Sequence, residues 1–474
     1  MNKSFTKLLF FIVFSSFFLV IVFEGCKKLD WPSNPPDTER PKVLAITPES
    51  ESIMVPADKK IQLKFNINMD VSSLNENAKV YKDNDTNALA GEWNGENGTY
   101  TFTPASSFEE LSKYNVKLKG AFNEGDQWEG PGLRGADGVS MKYENTFFFS
   151  TEGNYGASPL YLGSGNPGNA AEGKAGIGIV KNFETTEVGD FNPDGSLSIE
   201  LNPAGTELYI ASLADNAVGI LETSGGSIVA TVPMPDSVEE PWFVCFTPNG
   251  SEAWVLCRGT NDIVVINTAS RSVSATIPLA DYCQEGAFLY KMAIDHAGKK
   301  GYISTRTGQS VIVVDIINKS AITNIENVVE EEATGEIVIL PDDSKVLVCN
   351  NWSSPSFRII DPSTNTVEGE LELGEGGDYY FTDVVDNYLY MAGRWDALIY
   401  KIDLTDFSIA AEINIADEGI IDEMQGITVD PAKQVVYVVA NTYEDGAVLI
   451  FRTSDLSFLG AIKTGPWRDI VVKK

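Results

Sequence analysis

Three arginines recur at one position of a repeating pattern. Arg258, Arg306 and Arg394 each follow a large aromatic residue (Trp254, Tyr302 or Tyr390) by four residues, just past a short β-prone run. Aromatic residues crowd the same neighbourhoods. Trp242, Tyr290 and Tyr380 precede such runs, Trp352 and Trp395 follow them, and Trp467 sits beside Arg468 near the C-terminus. Guanidinium forks bind carboxylates and hydroxyls, and aromatic planes stack on rings. Tryptophans in loops have little folding reason to be there, so this set is a candidate ligand-binding face for carbohydrate, peptide or aromatic groups. The same residues also admit a purely structural role, with rings plugging junctions and arginines pairing with Glu240, Glu285 or Asp378.

Enzyme signatures are poor. The single histidine, His296, lies in the turn "DHAGK", far from the arginine-bearing stretches in the repeat. One histidine leaves no His-rich copper or zinc site and no Ser-His-Asp arrangement near that face. GxSxG, HExxH, Walker and CxxC patterns are absent. No catalytic residue, metal or cofactor is therefore expected. The alternative is a lactonase-, lyase- or hydrolase-type enzyme using Glu240, Glu336, Asp378 or Glu423. The chain carries 35 Lys+Arg against 67 Asp+Glu, a net charge of −32. That sign disfavours nucleic acid and anionic membrane surfaces as partners.

The elements that would position these groups come from an internal repeat. Marker residues Tyr161, Tyr209, Trp254, Tyr302, Leu347, Tyr390 and Tyr437 stand 43 to 48 residues apart. Around each, short apolar runs alternate with turns such as "NPAG", "TPNG" and "DPSTNT". Four strands per unit of this length predict a β-propeller blade, and seven copies predict seven blades over residues 155–474. In such a blade the loops after the second strands share one face with the links between blades. That is the face bearing the arginines and tryptophans. The first unit lacks an opening strand, and "RDIVV" (468–472) matches it. The C-terminus is therefore expected to complete the first blade and close the ring, removing exposed strand edges.

The layout "strand, Pro-Asx-Gly, strand with Tyr-Val, loop, Val-x-Val-Ile-Asp, Thr" resembles the YVTN family of seven-bladed propellers, including YncE-like periplasmic proteins. The resemblance permits nucleic-acid binding, which the charge opposes. Residues 41–151 alternate apolar and polar positions as in a half-buried sandwich. The segments "FNINMD" (65–70), "TFTP" (101–104), the pattern Y-x-V-x-L (114–118) and the closing "FFST" (148–151) resemble bacterial Ig-like domains, which act as spacers or contact modules. Asp70 and Asp137 are expected to be turn residues rather than calcium ligands.

The N-terminus places Lys3 and Lys7 around the start of the apolar run "LLFFIVFSSFFLVIVF" (8–23), followed by Glu24, Gly25 and Cys26. The length fits a signal-peptide core at 1–25, and Gly25-Cys26 resembles a lipobox, which implies lipidation of Cys26. Phe23 and Glu24 depart from that pattern, and a retained anchor helix is the alternative. A Pro-rich tether follows at 26–40. Cys245 and Cys257 lie on successive strands, so a disulfide and buried free thiols both stand open.

The expectation is an all-β chain: an N-terminal Ig-like β-sandwich followed by a seven-bladed β-propeller closed by the C-terminal strand. It is a monomeric, non-catalytic cell-envelope lipoprotein of the outer membrane, touching the membrane through its lipid anchor only. Its propeller binds a surface glycan, peptide or protein partner.

Overall fold

The computed structural model describes residues 40–472, apart from 84, 154–158, 164–174, 182–183, 192–196, 330–333, 351–355, 374–379, 396, 419–422, 442–445, 465–466 and 468. The expected leader, Cys26 and the tether up to residue 39 lie outside the described residues. Two compact units emerge: one drawn from the N-terminal 147 residues, and one of Phe148–Lys474 with Glu51–Lys59 and Ser107–Tyr114.

In the N-terminal region, strict alternation builds half-buried strands. Ile61, Leu63 and Phe65 point inward while Gln62 and Lys64 face solvent. Val43–Thr47, Ile61–Phe65, Thr99–Pro104 and Gly91–Glu96 form one four-stranded sheet; Ser52–Val55, Asn145–Thr151, Lys113–Leu118 and Ala78–Lys82 form a second. The strands Ser52–Val55 and Gly91–Glu96 and a helix at Val71–Asn77 carry no clear sequence pattern. Asp70 caps that helix, accepting the Ser72 N–H at 2.9 Å. Asp137 likewise accepts the Val139 N–H at 3.0 Å. Both serve the local backbone, Asp70 as a helix cap rather than in the expected turn.

Residues from 160 onward form seven four-stranded antiparallel sheets. Sheet 1 contains Leu160–Gly163, Ala175–Lys181, Glu184–Phe191 and the distant Asp469–Val472. Sheets 2 to 7 are continuous segments, at 197–233, 241–278, 288–325, 334–372, 380–414 and 423–463. Within each the strands pair in chain order. In sheet 1 the C-terminal strand supplies the missing edge, with Ile470 opposite Leu162 and Val472 opposite Leu160.

Burial explains the sequence pattern. Second and third strands such as Glu252–Cys257 and Asp262–Asn267 are buried on both faces, so they read as unbroken apolar runs. Fourth strands such as Ser272–Pro278 alternate and are largely exposed. The buried faces meet between successive sheets. Tyr209 and Ile220 of sheet 2 pack with Val244 and Val255 of sheet 3. Trp254 of sheet 3 packs with Leu289 and Ile303 of sheet 4. Further clusters join sheets 4 and 5, 5 and 6, and 6 and 7. Tyr437 and Ile450 of sheet 7 pack with Leu160, Leu162 and Ile470 of sheet 1. Tyr161 and Ile177 of sheet 1 pack with Ile199 and Ile210 of sheet 2.

The turns between third and fourth strands share one device. A residue with positive φ (Gly226, Arg271, Lys319, Asn365, Phe407 or Leu456) ends the turn, and a register shift follows in the strand pair. A type I turn closed by a left-handed residue and a bulge matches the twist of the flanking strands.

The disulfide left open by the sequence is not formed. Cys245, Cys257, Cys283 and Cys349 are free thiols. The pairing register sets Cys245 opposite Trp254 and Cys257 opposite Pro241, so the two cysteines are not cross-strand neighbours. Burial, with a smaller contribution from Asp262, pushes the Cys257 thiol up to about 12.

Candidate functional site

The first strands of several sheets break register where they begin. Pairing skips Trp242 in sheet 3, Tyr290 and Lys291 in sheet 4, Gly335 and Glu336 in sheet 5, and Gln425 in sheet 7. A bulge leaves its extra residue outside the ladder and re-aims its side chain. Trp242, Tyr290, Lys291 and Gln425 all line one cavity of about 310 Å³.

Three arginines reach the same cavity from the ends of second strands: Arg258 in sheet 3, Arg306 in sheet 4 and Arg394 in sheet 6. Phe243, Phe288 and Phe381 complete its aromatic lining, and Ser198 and Asp469 complete its polar lining. Six of the seven sheets thus contribute. Sheets 3, 4 and 6 bring the cations, and sheets 7, 1 and 2 bring Gln425, Asp469 and Ser198.

The rings and cations form an ordered stack. The Arg258 guanidinium lies 4.5 Å over the Trp242 ring. Trp242 stacks on Tyr290 with centroids 6.2 Å apart and planes at 29°. Arg306 lies 4.9 Å over the other partner of that stack, Tyr290. Carboxylates anchor the cations: Glu240 accepts from Arg258 Nε at 3.0 Å, and Glu423 pairs with Arg394. Lys291 pairs with Glu336 at 2.9 Å across sheets 4 and 5. Burial alone would lower the Lys291 pKa, but the charges of Glu336, Tyr290 and Asp469 raise it, so the ammonium stays charged. Burial raises the Asp469 carboxyl, against the opposing pull of Lys291 and the Ile199 and Ile470 N–H groups.

Asp469 also ties sheet 1 to sheet 2, accepting the Ile199 N–H at 3.0 Å. A second cavity of about 500 Å³ adjoins the first and shares Phe243, Lys291, Phe381 and Asp469 with it. The links that carry the bulges are held by asparagines. Asn216 donates to the Val238 carbonyl at 2.9 Å and accepts the Glu240 N–H at 3.1 Å. Asn261 makes the same pair of bonds with Ala287 and Leu289, each at 3.0 Å.

Of the residues singled out in the sequence, Trp242, Arg258, Tyr290, Arg306 and Arg394 come together on the cavity. Trp395 does not line it. That ring is 53% exposed, with Arg394 4.8 Å over it. Trp467 belongs to the core between sheets 7 and 1, 5% exposed, with its indole N–H donating to the Thr464 carbonyl at 3.0 Å. Its ring fills the space over Gly178, where an added Cβ would come within 2.7 Å of it. Trp352, Arg468 and the Tyr380 side chain lie outside the described residues. His296 sits in an exposed turn, its Nδ1 2.6 Å from Asp343, at the opposite end of the sheets. Glu240, Glu336 and Glu423, named for the enzymatic alternative, each form an ion pair; Asp378 lies outside the described residues.

The sequence did not point to Lys291, Gln425, Ser198 or Asp469. The available signal was a polar residue interrupting an apolar first strand, as in "LYKMAI" and "EMQGITV".

Residues 37–151 match the family model of the bacterial Ig-like domain. Such domains are typically extracellular or surface-associated. Among the described residues no helix is long and apolar enough to cross a membrane. No curated protein matches the chain. Among solved structures, hydrazine synthase of Kuenenia stuttgartiensis is similar at 17% identity and a TM-score of 0.47, over 59% of this chain and 90% of that one. A structure of U3-55K is similar at 12% identity and a TM-score of 0.47, over 58% of this chain and 84% of that one.

Proposed function

We propose that the seven sheets are the blades of a seven-bladed β-propeller of the YVTN type, closed by the C-terminal strand, and that its cavity binds a ligand without catalysis. The convergence of six sheets on one cavity, lined by three arginines, a lysine and five aromatic rings, carries this reading. Sites for small ligands combine apolar walls with a few fixed polar groups, and this cavity has both. Its cationic lining stands out in a chain of net charge −32. The packing of sheet 7 on sheet 1 and of sheet 1 on sheet 2 supports the closed ring. The proposed ligand is a surface glycan, peptide or protein. The bacterial Ig-like domain is proposed as the spacer that carries the propeller in the cell envelope, on a lipid anchor at Cys26.

Two experiments test this. A glycan array and a pull-down from envelope extracts are run with the full chain and with Arg258→Ala plus Arg394→Ala. Signal lost in the variant supports the cavity as the binding site. Signal retained in full removes that role. Cys26→Ser is expected to move the protein from the membrane fraction to the soluble fraction, and an unchanged distribution contradicts the anchor.

A further inference from the structure

Gln425 is 4% exposed and lines the cavity. Its bulge holds it there, since Gly426 beside it resumes pairing with Val439. An amide both donates and accepts, which suits a hydroxyl group. Ser198, also in the lining, adds a hydroxyl of its own, 3.3 Å from Asp469.

The lining also carries cations suited to an anion. Arg258, Arg306, Arg394 and Lys291 line the cavity, while Glu240, Glu336 and Glu423 hold three of these cations from outside the lining. The aromatic faces are already engaged, because Arg258 covers Trp242, Trp242 stacks on Tyr290, and Arg306 covers Tyr290. The stack thus places guanidinium groups, rather than open faces, over Trp242 and Tyr290.

We infer that the cavity binds an acidic sugar, a hexuronate, free or as the end unit of a polysaccharide. Its carboxylate meets the arginines, and its ring hydroxyls meet Gln425 and Ser198. At about 310 Å³ the cavity admits one such unit. This inference rests on the binding function proposed above and narrows its ligand.

The test is calorimetric titration of the full chain at low salt with galacturonate, glucuronate, the parent neutral hexoses, an oligogalacturonide and a short acidic peptide. Hexuronates are expected to bind at least about tenfold more tightly than the neutral hexoses, the margin of one charge-assisted pair. Free acid and oligomer binding alike means the end unit alone is recognised; oligomer binding alone means the polymer is the ligand; either supports the inference. Gln425→Glu, nearly isosteric, is expected to cost more than about tenfold in hexuronate affinity through like-charge repulsion. A melting curve establishes that the variant is folded, and Gln425→Ala serves if it is not. Neutral hexoses binding equally well overturn the inference. Binding of the peptide alone, lost in Arg306→Ala, also overturns it but leaves the cavity as a binding site. Silence of every ligand overturns it while the array and pull-down independently decide the binding function.

Discussion

The two ends of the seven sheets solve the same problem in different ways. At the end holding the first–second and third–fourth strand turns, many side chains serve their own backbone, and cross-sheet contacts there are ion pairs such as Glu252–Lys319 and Arg271–Glu207. Asn202 accepts the Thr206 N–H at 2.8 Å, Asp361 accepts that of Ser363 at 2.7 Å, and Asp403 accepts that of Thr405 at 2.9 Å. At the cavity end, bonds span sheets: Asn216 to Glu240, Asn261 to Leu289, Lys291 to Glu336, and Asp469 to Ile199. These contacts couple neighbouring sheets, and bulges turn polar groups inward there at a cost in pairing. A ligand site belongs where such groups are held by neighbours rather than by their own loop.

The largest effect that would sharpen this contrast comes from the closing strand. Deleting residues 468–474 removes Ile470 and Val472, which are 2% and 4% exposed. Each contributes roughly 1.5–3 kcal/mol of burial. At about 2–4 °C per kcal/mol for a domain of this size, the melting temperature should fall by about 10 °C. An unchanged thermal melt would mean that this strand does not tie the sheets together.

Next come matched ion pairs at the two ends. Glu336→Gln takes the carboxylate partner from the half-buried Lys291 ammonium, and is expected to cost about 3 kcal/mol in chemical denaturation. Glu252→Gln, at the turn end, breaks a 2.8 Å pair with Lys319 that is more open to solvent. Its expected cost is below about 1 kcal/mol. Equal costs would break the comparison. Asn216→Gly keeps the positive φ of 48° while deleting both bonds to the next link. About 1–2 kcal/mol should be lost in denaturant titration.

The smallest effect is a pH dependence at the turn end. Burial pushes the Asp455 carboxyl up, but Arg452 at 2.6 Å and the Ser457 N–H outweigh it and hold the pKa at about 2. The folded value lies below the unfolded 3.8, so the carboxylate form is the one that folding favours. Its contribution is present above about pH 4 and is lost as pH falls through about 2. Asp455→Asn should flatten that limb of the stability curve between pH 4 and 2, and an unaltered slope would assign it elsewhere.

What the sequence revealed and what it concealed follow the same division. Arg258, Arg306 and Arg394 were legible because second strands keep strict register with their marker residues. Lys291 and Gln425 were not, because a bulge is a matter of pairing between strands and leaves no fixed spacing within one. Two Pro-Trp pairs make the point. Trp242 after Pro241 is a bulge residue facing the cavity, whereas Trp467 fills the core between sheets 7 and 1. The dipeptide is identical, and only the partner strand distinguishes them. The seven sheets were visible in the repeat, since doubly buried strands read as apolar runs. The helix at Val71–Asn77 was hidden by its polar composition, "VSSLNEN".

A crystal structure of the full chain at saturating galacturonate tests the central claim most directly. The account predicts the ligand in the cavity, its carboxylate within hydrogen-bond distance of Arg258, Arg306 or Arg394 and a hydroxyl on the Gln425 amide. An empty cavity under those conditions, or the sugar bound at the turn end instead, would contradict it.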